Sequence, residues 1–199
     1  MQTFKALLLV FTLMIGLGPV LDSRAASFTD LEGSPNLRSA SALVMDADGN
    51  VIYGKDVDTI RPIASITKLM TAMVILDSGI DLKEKVTVTK EDRDLVQLTG
   101  SRLEYGATLS RREMILLAIM SSENRAATAL GRTFPGGMPA FVARMNRKAA
   151  ELGMSDSHFA DPAGLMVENT STASDLAKLA TAASQYPLIG EASATQRVD

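Results

Sequence analysis

Ser65-Ile66-Thr67-Lys68 is the first segment of this sequence whose residue types and spacing can do chemistry. Positions i and i+3 share one helix face, so the amine of Lys68 can reach the hydroxyl of Ser65. A lysine whose pKa is lowered by burial and neighbours is neutral often enough to accept a serine proton, which makes the hydroxyl a nucleophile. Pro62 sets the entry into that helix, where backbone N–H groups can polarise an incoming carbonyl. The pattern is short: 17 serines and 8 lysines predict roughly 0.7 such pairs by chance. The alternative is that Ser65 only caps the helix while Lys68 extends its amine to water.

Ser122-Glu123-Asn124 falls in the break between two apolar helices. Residues two apart in an extended turn point the same way, so the Ser122 hydroxyl can pass a proton while the Asn124 amide holds a substrate carbonyl. Ser34-Pro35-Asn36 repeats the pattern, but in a leader ahead of the Ser65 helix. The competing reading makes Ser122 the N-cap of the helix that starts at Asn124.

The missing residue types narrow the chemistry. There is no cysteine and one histidine, which excludes a thiol nucleophile, a cysteine-ligated metal and a three-histidine site. A Ser-His-Asp triad would have to use His158, yet the chain has no Gly-x-Ser-x-Gly elbow, so His158 is read as a surface or packing residue. Glu32, Glu104 and Glu123 are lone carboxylates, giving no support for a two-carboxylate glycosidase. Gly49 to Lys55 has the Gly-x-x-x-x-Gly-Lys spacing but is followed by Asp56 where a P-loop needs Ser or Thr, and no Gly-x-Gly-x-x-Gly occurs, which removes the usual nucleotide readings. A net charge of −3 argues against a nucleic-acid partner.

The elements that must position these residues follow from periodicity. With 46% apolar and 22% charged residues in 199, the composition is that of one ordinary soluble domain. Ser39 to Asp46 and Val51 to Lys55 are β-prone runs around Asp48-Gly49, predicting an antiparallel hairpin. Ile66, Leu69, Met70, Met73, Val74 and Leu76 recur at helical spacing, predicting a buried helix of about 13 residues from Ser65 to Asp77-Ser78-Gly79. Lys85 to Val88 is a candidate strand. Ser110 and Glu113 form a capping box ahead of an apolar helix through Met120. Further helices are expected over Asn124 to Gly131, Met138 to Leu152, and from Ser171 or Ser174 to Ala183.

Taken in order, Ser65-Ile66-Thr67-Lys68 and then Ser122-Glu123-Asn124 resemble the serine acyl-transferases that bind penicillin, whose third motif is Lys-Thr-Gly. Arg61 to Ala72 looks like the nucleophile segment of the low-molecular-mass D-alanyl-D-alanine peptidases. Met120 to Ala127, followed by Phe134-Pro135-Gly136-Gly137, is similar to the endopeptidase branch, of the penicillin-binding protein 7 type; that context argues against a β-lactamase. Leu152-Gly153-Met154, Asp161-Pro162-Ala163-Gly164-Leu165 and Ser171 to Leu176 continue the likeness. The resemblance implies an α+β domain of the β-lactamase/transpeptidase type, a helical cluster against an antiparallel sheet. It implies Ser65 as nucleophile, Lys68 as proton acceptor, Ser122 as proton relay to the leaving amine and Asn124 as the residue that orients the peptide, with no metal or cofactor. Peptidoglycan peptide stems are the implied partners, β-lactams the covalent inhibitors, and peripheral membrane contact is compatible with it.

The ends of the chain carry two more expectations. Lys5, the apolar run Ala6 to Leu17, Gly18-Pro19 and Ser23-Arg24-Ala25 predict a secretory signal over residues 1–25 and hence a periplasmic product, with a leader over 26–38 and the peptidase domain from 39 onward. No Lys-Thr-Gly, Lys-Ser-Gly or Arg-Thr-Gly occurs; the nearest is Leu98-Thr99-Gly100, without the cation and upstream of Ser122. The sequence is therefore expected to hold the hairpin and helices but not the later strands, with impaired turnover. The alternative is a secreted, non-catalytic chain that binds peptidoglycan or a partner.

Overall fold

The computed structural model describes residues 37–196, so the signal sequence expected over 1–25 and most of the expected leader lie outside the described residues. The Asp-Gly hairpin is present: β1 (Ala42–Met45) pairs antiparallel with β2 (Val51–Lys55), with a bulge between Val44 and Met45. Its turn is organised by the Asp46 carboxylate, which accepts the backbone N–H of Asp48 at 2.9 Å and of Asn50 at 2.8 Å. Gly49 sits there at φ +87°, a conformation a side chain disfavours.

Four shorter strands follow, β3 (Arg61–Pro62), β4 (Lys85–Thr87), β5 (Thr108–Ser110) and β6 (Thr170–Ser171). β3 pairs with β6 and β4 with β5, so the described residues form three separate two-stranded antiparallel units. Pro62 therefore does not open the nucleophile helix as the sequence suggests; it lies in β3 opposite Thr170. The β1–β2 hairpin carries no further strand among the described residues, and Val51 on it is 62% exposed.

Six helices complete the α+β domain: α1 (Thr67–Asp77), α2 (Arg111–Met120), α3 (Asn124–Arg132), α4 (Gly137–Glu151), α5 (Ala173–Ala183) and α6 (Pro187–Ala194). α1 packs against α2, α3, α4 and α5. A helix surrounded in this way must be apolar on nearly every side, and Met70, Ala72, Met73, Val74 and Ile75 are all buried. Met114, Leu130, Phe141, Met145 and Leu179 meet them from the four neighbours. Each large apolar side chain so removed from water contributes about 1.5–3 kcal/mol.

The capping box is realised, with the Ser110 hydroxyl accepting from the Glu113 N–H at 3.2 Å and the Glu113 carboxylate accepting from the Ser110 N–H at 2.6 Å. α5 starts from neither of the serines anticipated. Thr172 caps it, accepting from the Asp175 N–H at 3.1 Å. α6 is not anticipated at all: its eight residues include Gly190, but Pro187 stands in its first turn, and Ile189 and Ala192 bury against the core while Glu191 pairs with Arg112 at 2.6 Å. Among the described residues no helix is long and apolar enough to cross a membrane.

Candidate active site

Ser65 does not begin α1. It sits in a 3-10 turn, Ala64–Ile66, which takes the chain from β3 into the helix, and it makes no capping bond. Ala64 stands at φ +46°, a left-handed conformation costly for a residue with a Cβ. That turn is held from outside: the Ile63 N–H donates to the Asn169 carbonyl at 3.0 Å, and Gly164 lies so close that a Cβ there would be 1.9 Å from the Ala64 carbonyl oxygen.

The result is a hydroxyl with two polar neighbours. Lys68 Nζ donates to Ser65 Oγ at 3.0 Å, and Ser122 Oγ donates to the same oxygen at 2.8 Å. The amine does not reach for water; Lys68 is 2% exposed and also donates to the Ala163 carbonyl at 2.6 Å. Burial lowers its pKa to about 8, against the smaller opposing pull of Asp161 and Glu123. In the neutral form, one N–H on Ala163 leaves the amine lone pair available to the Ser65 hydroxyl.

The segment that supplies Ala163 is built by Asp161, whose carboxylate accepts the backbone N–H groups of Ala163 at 2.6 Å, Gly164 at 2.7 Å and Met166 at 2.7 Å. Thr71 of α1 donates to the Pro162 carbonyl at 2.7 Å, fastening the loop to the same helix that carries Lys68. Sequence reasoning does not assign these residues a role. The available signal was Asp-Pro-Ala-Gly, a turn-forming series, with Gly164 at φ +78°.

Ser122 links α2 and α3 at φ +54° and is not a cap; Glu123 is the N-cap of α3, its carboxylate accepting the Arg125 N–H at 3.1 Å and the Ser101 hydroxyl at 2.7 Å. Left-handed backbone at a serine costs on the order of 1–3 kcal/mol, and here it aims the hydroxyl at Ser65. Ser122 and Asn124 line one polar cavity. Asn124 is the first residue of α3, and its Nδ2 donates to Thr99 Oγ1 at 2.9 Å. The structure thus brings Ser65, Lys68 and Ser122 together and sets Asn124 beside them. A polar cavity of about 550 Å³, lined by Ser101, Arg102, Ser122, Glu123 and Asn124, meets a second of about 410 Å³ around Ser65, Lys68 and Leu69 at Ser122.

His158 is exposed and forms only a backbone bridge to Thr170, outside this cluster. Among the described residues no group of three or more His, Cys, Asp or Glu is placed to hold a metal ion. A separate apolar cavity of about 750 Å³ lies between the β1–β2 hairpin and α5, and its lining includes none of the residues around Ser65.

A serine held between a buried amine and a second hydroxyl, at the entry to the central helix of an α+β domain, is an arrangement capable of acyl transfer. The description of the D-alanyl-D-alanine carboxypeptidase family matches residues 29–198, and the chain belongs to that family. It is 44% identical over 199 residues to a D-alanyl-D-alanine endopeptidase of Escherichia coli, covering 98% of this chain and 64% of the relative. A D-alanyl-D-alanine endopeptidase of Pseudomonas aeruginosa is 46% identical over 193 residues, with 95% and 62% covered. The fold superposes on the crystal structure of a D-alanyl-D-alanine carboxypeptidase from Mycobacterium tuberculosis with a TM-score of 0.71 at 31% identity, covering 78% of this chain and 60% of that one. DD-transpeptidase structures from Streptomyces match similarly, at a TM-score of 0.72. The expected transpeptidase-like fold is therefore present. The chain spans less than two thirds of the length of these relatives, 64% and 62% for the two endopeptidases.

Proposed function

We propose that this chain carries the nucleophile-bearing part of a periplasmic serine peptidase that acts on D-alanyl bonds of peptidoglycan peptide stems. The observation that supports it most is the placing of Ser65 Oγ 3.0 Å from a buried lysine amine and 2.8 Å from the Ser122 hydroxyl. Ser65 Oγ attacks the D-alanyl carbonyl as its proton passes to neutral Lys68, forming the new C–O bond. Collapse of the tetrahedral intermediate breaks the C–N bond, and Ser122 relays the proton to the leaving amine. Water then hydrolyses the acyl-enzyme. The two endopeptidase relatives favour cross-linked stems as substrate, and a β-lactam would acylate the same oxygen.

The protonation of Lys68 sets the pH dependence. Only the neutral amine accepts a proton, so acylation rises about tenfold per pH unit toward pH 8 and levels off above it. Labelling rates with a fluorescent penicillin between about pH 6 and 9.5 check this; a rate that is flat or falling from 6 to 8 counts against Lys68 as acceptor.

In the peptidases this chain resembles, Lys-Thr-Gly brings a cation and a backbone donor for the oxyanion, and these 199 residues contain no such motif. Loss of one such donor typically costs ~10²–10³ in rate, and slow acylation is the consequence. Intact-mass spectrometry after incubation with benzylpenicillin tests both points. The expected result is a single adduct that accumulates over hours, maps to the tryptic peptide holding Ser65 and is absent from Ser65→Ala. No adduct, or one on another residue, overturns the function; complete labelling within seconds overturns the impairment.

A further inference from the structure

The amide of Asn124 has two ends of nearly equal shape, an NH₂ and a carbonyl oxygen, and a half-turn exchanges them. What decides between them lies on the loop opposite. Asp94 is 5% exposed, and its Oδ2 accepts both the hydroxyl of Thr99 at 2.7 Å and the backbone N–H of Thr99 at 2.9 Å. Its Oδ1 accepts the N–H groups of Val96 and Gln97, each at 2.8 Å. Burial alone would raise the pKa of this carboxyl. The bonds from Thr99, Gln97 and Val96 outweigh that and hold it at about 2, so at neutral pH it only accepts.

The single hydroxyl proton of Thr99 is thereby committed to Asp94. The lone pairs of Thr99 Oγ1 are what remains to face Asn124, 2.9 Å away, and an oxygen in that state can only accept. Asn124 must meet it with Nδ2; the flipped amide would set two oxygens against each other. Oδ1 then has no partner among the described residues, on a side chain that lines the polar cavity joined to the Ser65 cavity at Ser122.

We propose that Thr99 and Asp94 are positioning residues for Asn124: they hold its amide in one orientation, with Oδ1 and the second N–H left for a peptide group of the substrate beside the scissile bond. The proposal rests on the acyl-transfer function above. It gives the loop ahead of α2 a part in choosing among acyl donors, since a site built to pair with an amide discriminates against donors that lack one.

The test compares benzylpenicillin, which carries an acylamino side chain, with 6-aminopenicillanic acid, which has a free amine there. Thr99→Val keeps the shape and removes the hydroxyl; Thr99→Ser keeps the hydroxyl. Thr99→Val is expected to slow acylation by benzylpenicillin about tenfold, the effect of one hydrogen bond to an oriented amide, and several times more than acylation by 6-aminopenicillanic acid. Thr99→Ser restores the wild-type ratio. Equal losses on both compounds, or no loss, overturn the proposal. A second measurement separates this outcome from failure of the function itself. The side-chain ¹⁵N–¹H₂ pair of Asn124, assigned by its absence in Asn124→Asp, should show one exchange-protected proton in wild type and Thr99→Ser and none in Thr99→Val. If neither β-lactam acylates the wild type, the peptidase reading falls, and this pair alone decides the relay: protection lost in Thr99→Val supports it, protection unchanged overturns it.

Discussion

Lys68→Met is expected to slow acylation of Ser65 by about 10²–10⁴-fold while leaving the fold in place. Methionine is also unbranched and fills the same channel beside α1, so the packing around it is kept. Two contacts disappear, the 3.0 Å bond to Ser65 and the 2.6 Å bond to the Ala163 carbonyl. Loss of the second leaves a buried acceptor without its donor, a cost of about 1–3 kcal/mol, partly offset because a buried amine no longer has to be desolvated. The kinetic and structural effects are therefore separable. Fluorescent-penicillin labelling should fall by orders of magnitude and lose its rise toward pH 8, while circular dichroism remains that of the parent. Labelling within threefold of the parent would show that another group takes the Ser65 proton.

Gly164→Ala is expected to damage the site from the opposite side. The backbone there has φ +78°, and an added Cβ would lie 1.9 Å from the Ala64 carbonyl oxygen and 2.4 Å from its carbon. No flexible side-chain end is available to yield, since the obstacle is the backbone directly before Ser65. Either the 161–166 segment retracts, breaking the bonds from Lys68 to Ala163 and from Thr71 to Pro162, or the 3-10 turn moves and takes Ser65 with it. Two buried hydrogen bonds and the strain give a loss of about 2–4 kcal/mol in urea unfolding. A displacement near 1 Å at the nucleophile gives about a 100-fold loss in acylation. Gly49→Ala is the matched control. Gly49 also has positive φ, +87°, but nothing lies within 4 Å of a Cβ there, so only the conformational cost of about 1–2 kcal/mol applies and acylation is unchanged. Equal behaviour of the two variants would show that the approach of Gly164 to Ala64 does not hold the site.

Features set by neighbours a few residues apart were legible before any coordinates. The Ser65 and Lys68 pairing needs only the helical period. The hairpin needs Asp-Gly between β-prone runs, and the start of α2 needs Ser110 and Glu113 at capping distance. Where two local readings competed, sequence had no means to choose. Ser65 as a cap and Ser65 as a partner for Lys68 use the same spacing, and Ser122 fits equally as the N-cap of α3 and as a proton relay. The choice came from contacts with distant segments: Glu123 receives Ser101 as well as Arg125, which frees Ser122 to face Ser65.

Strands β3, β5 and β6, and α6, were hidden for a related reason, whereas β4 matches the candidate strand at Lys85 to Val88. Arg61-Pro62 and Thr170-Ser171 are two residues each and have no periodicity; they are strands only because each finds the other. Local spacing and local propensity, which act over one or two turns of chain, were enough to nominate the serine, its lysine and the apolar helix that carries Lys68. Folding supplied the rest, because those partners are far apart along the chain: Ser122 is 57 residues from Ser65, Ala163 is 95 from Lys68 and Thr99 is 25 from Asn124. Burial of Lys68, which lowers its pKa, likewise exists only once α1 is enclosed by its neighbours and the 161–166 loop closes on its first turn.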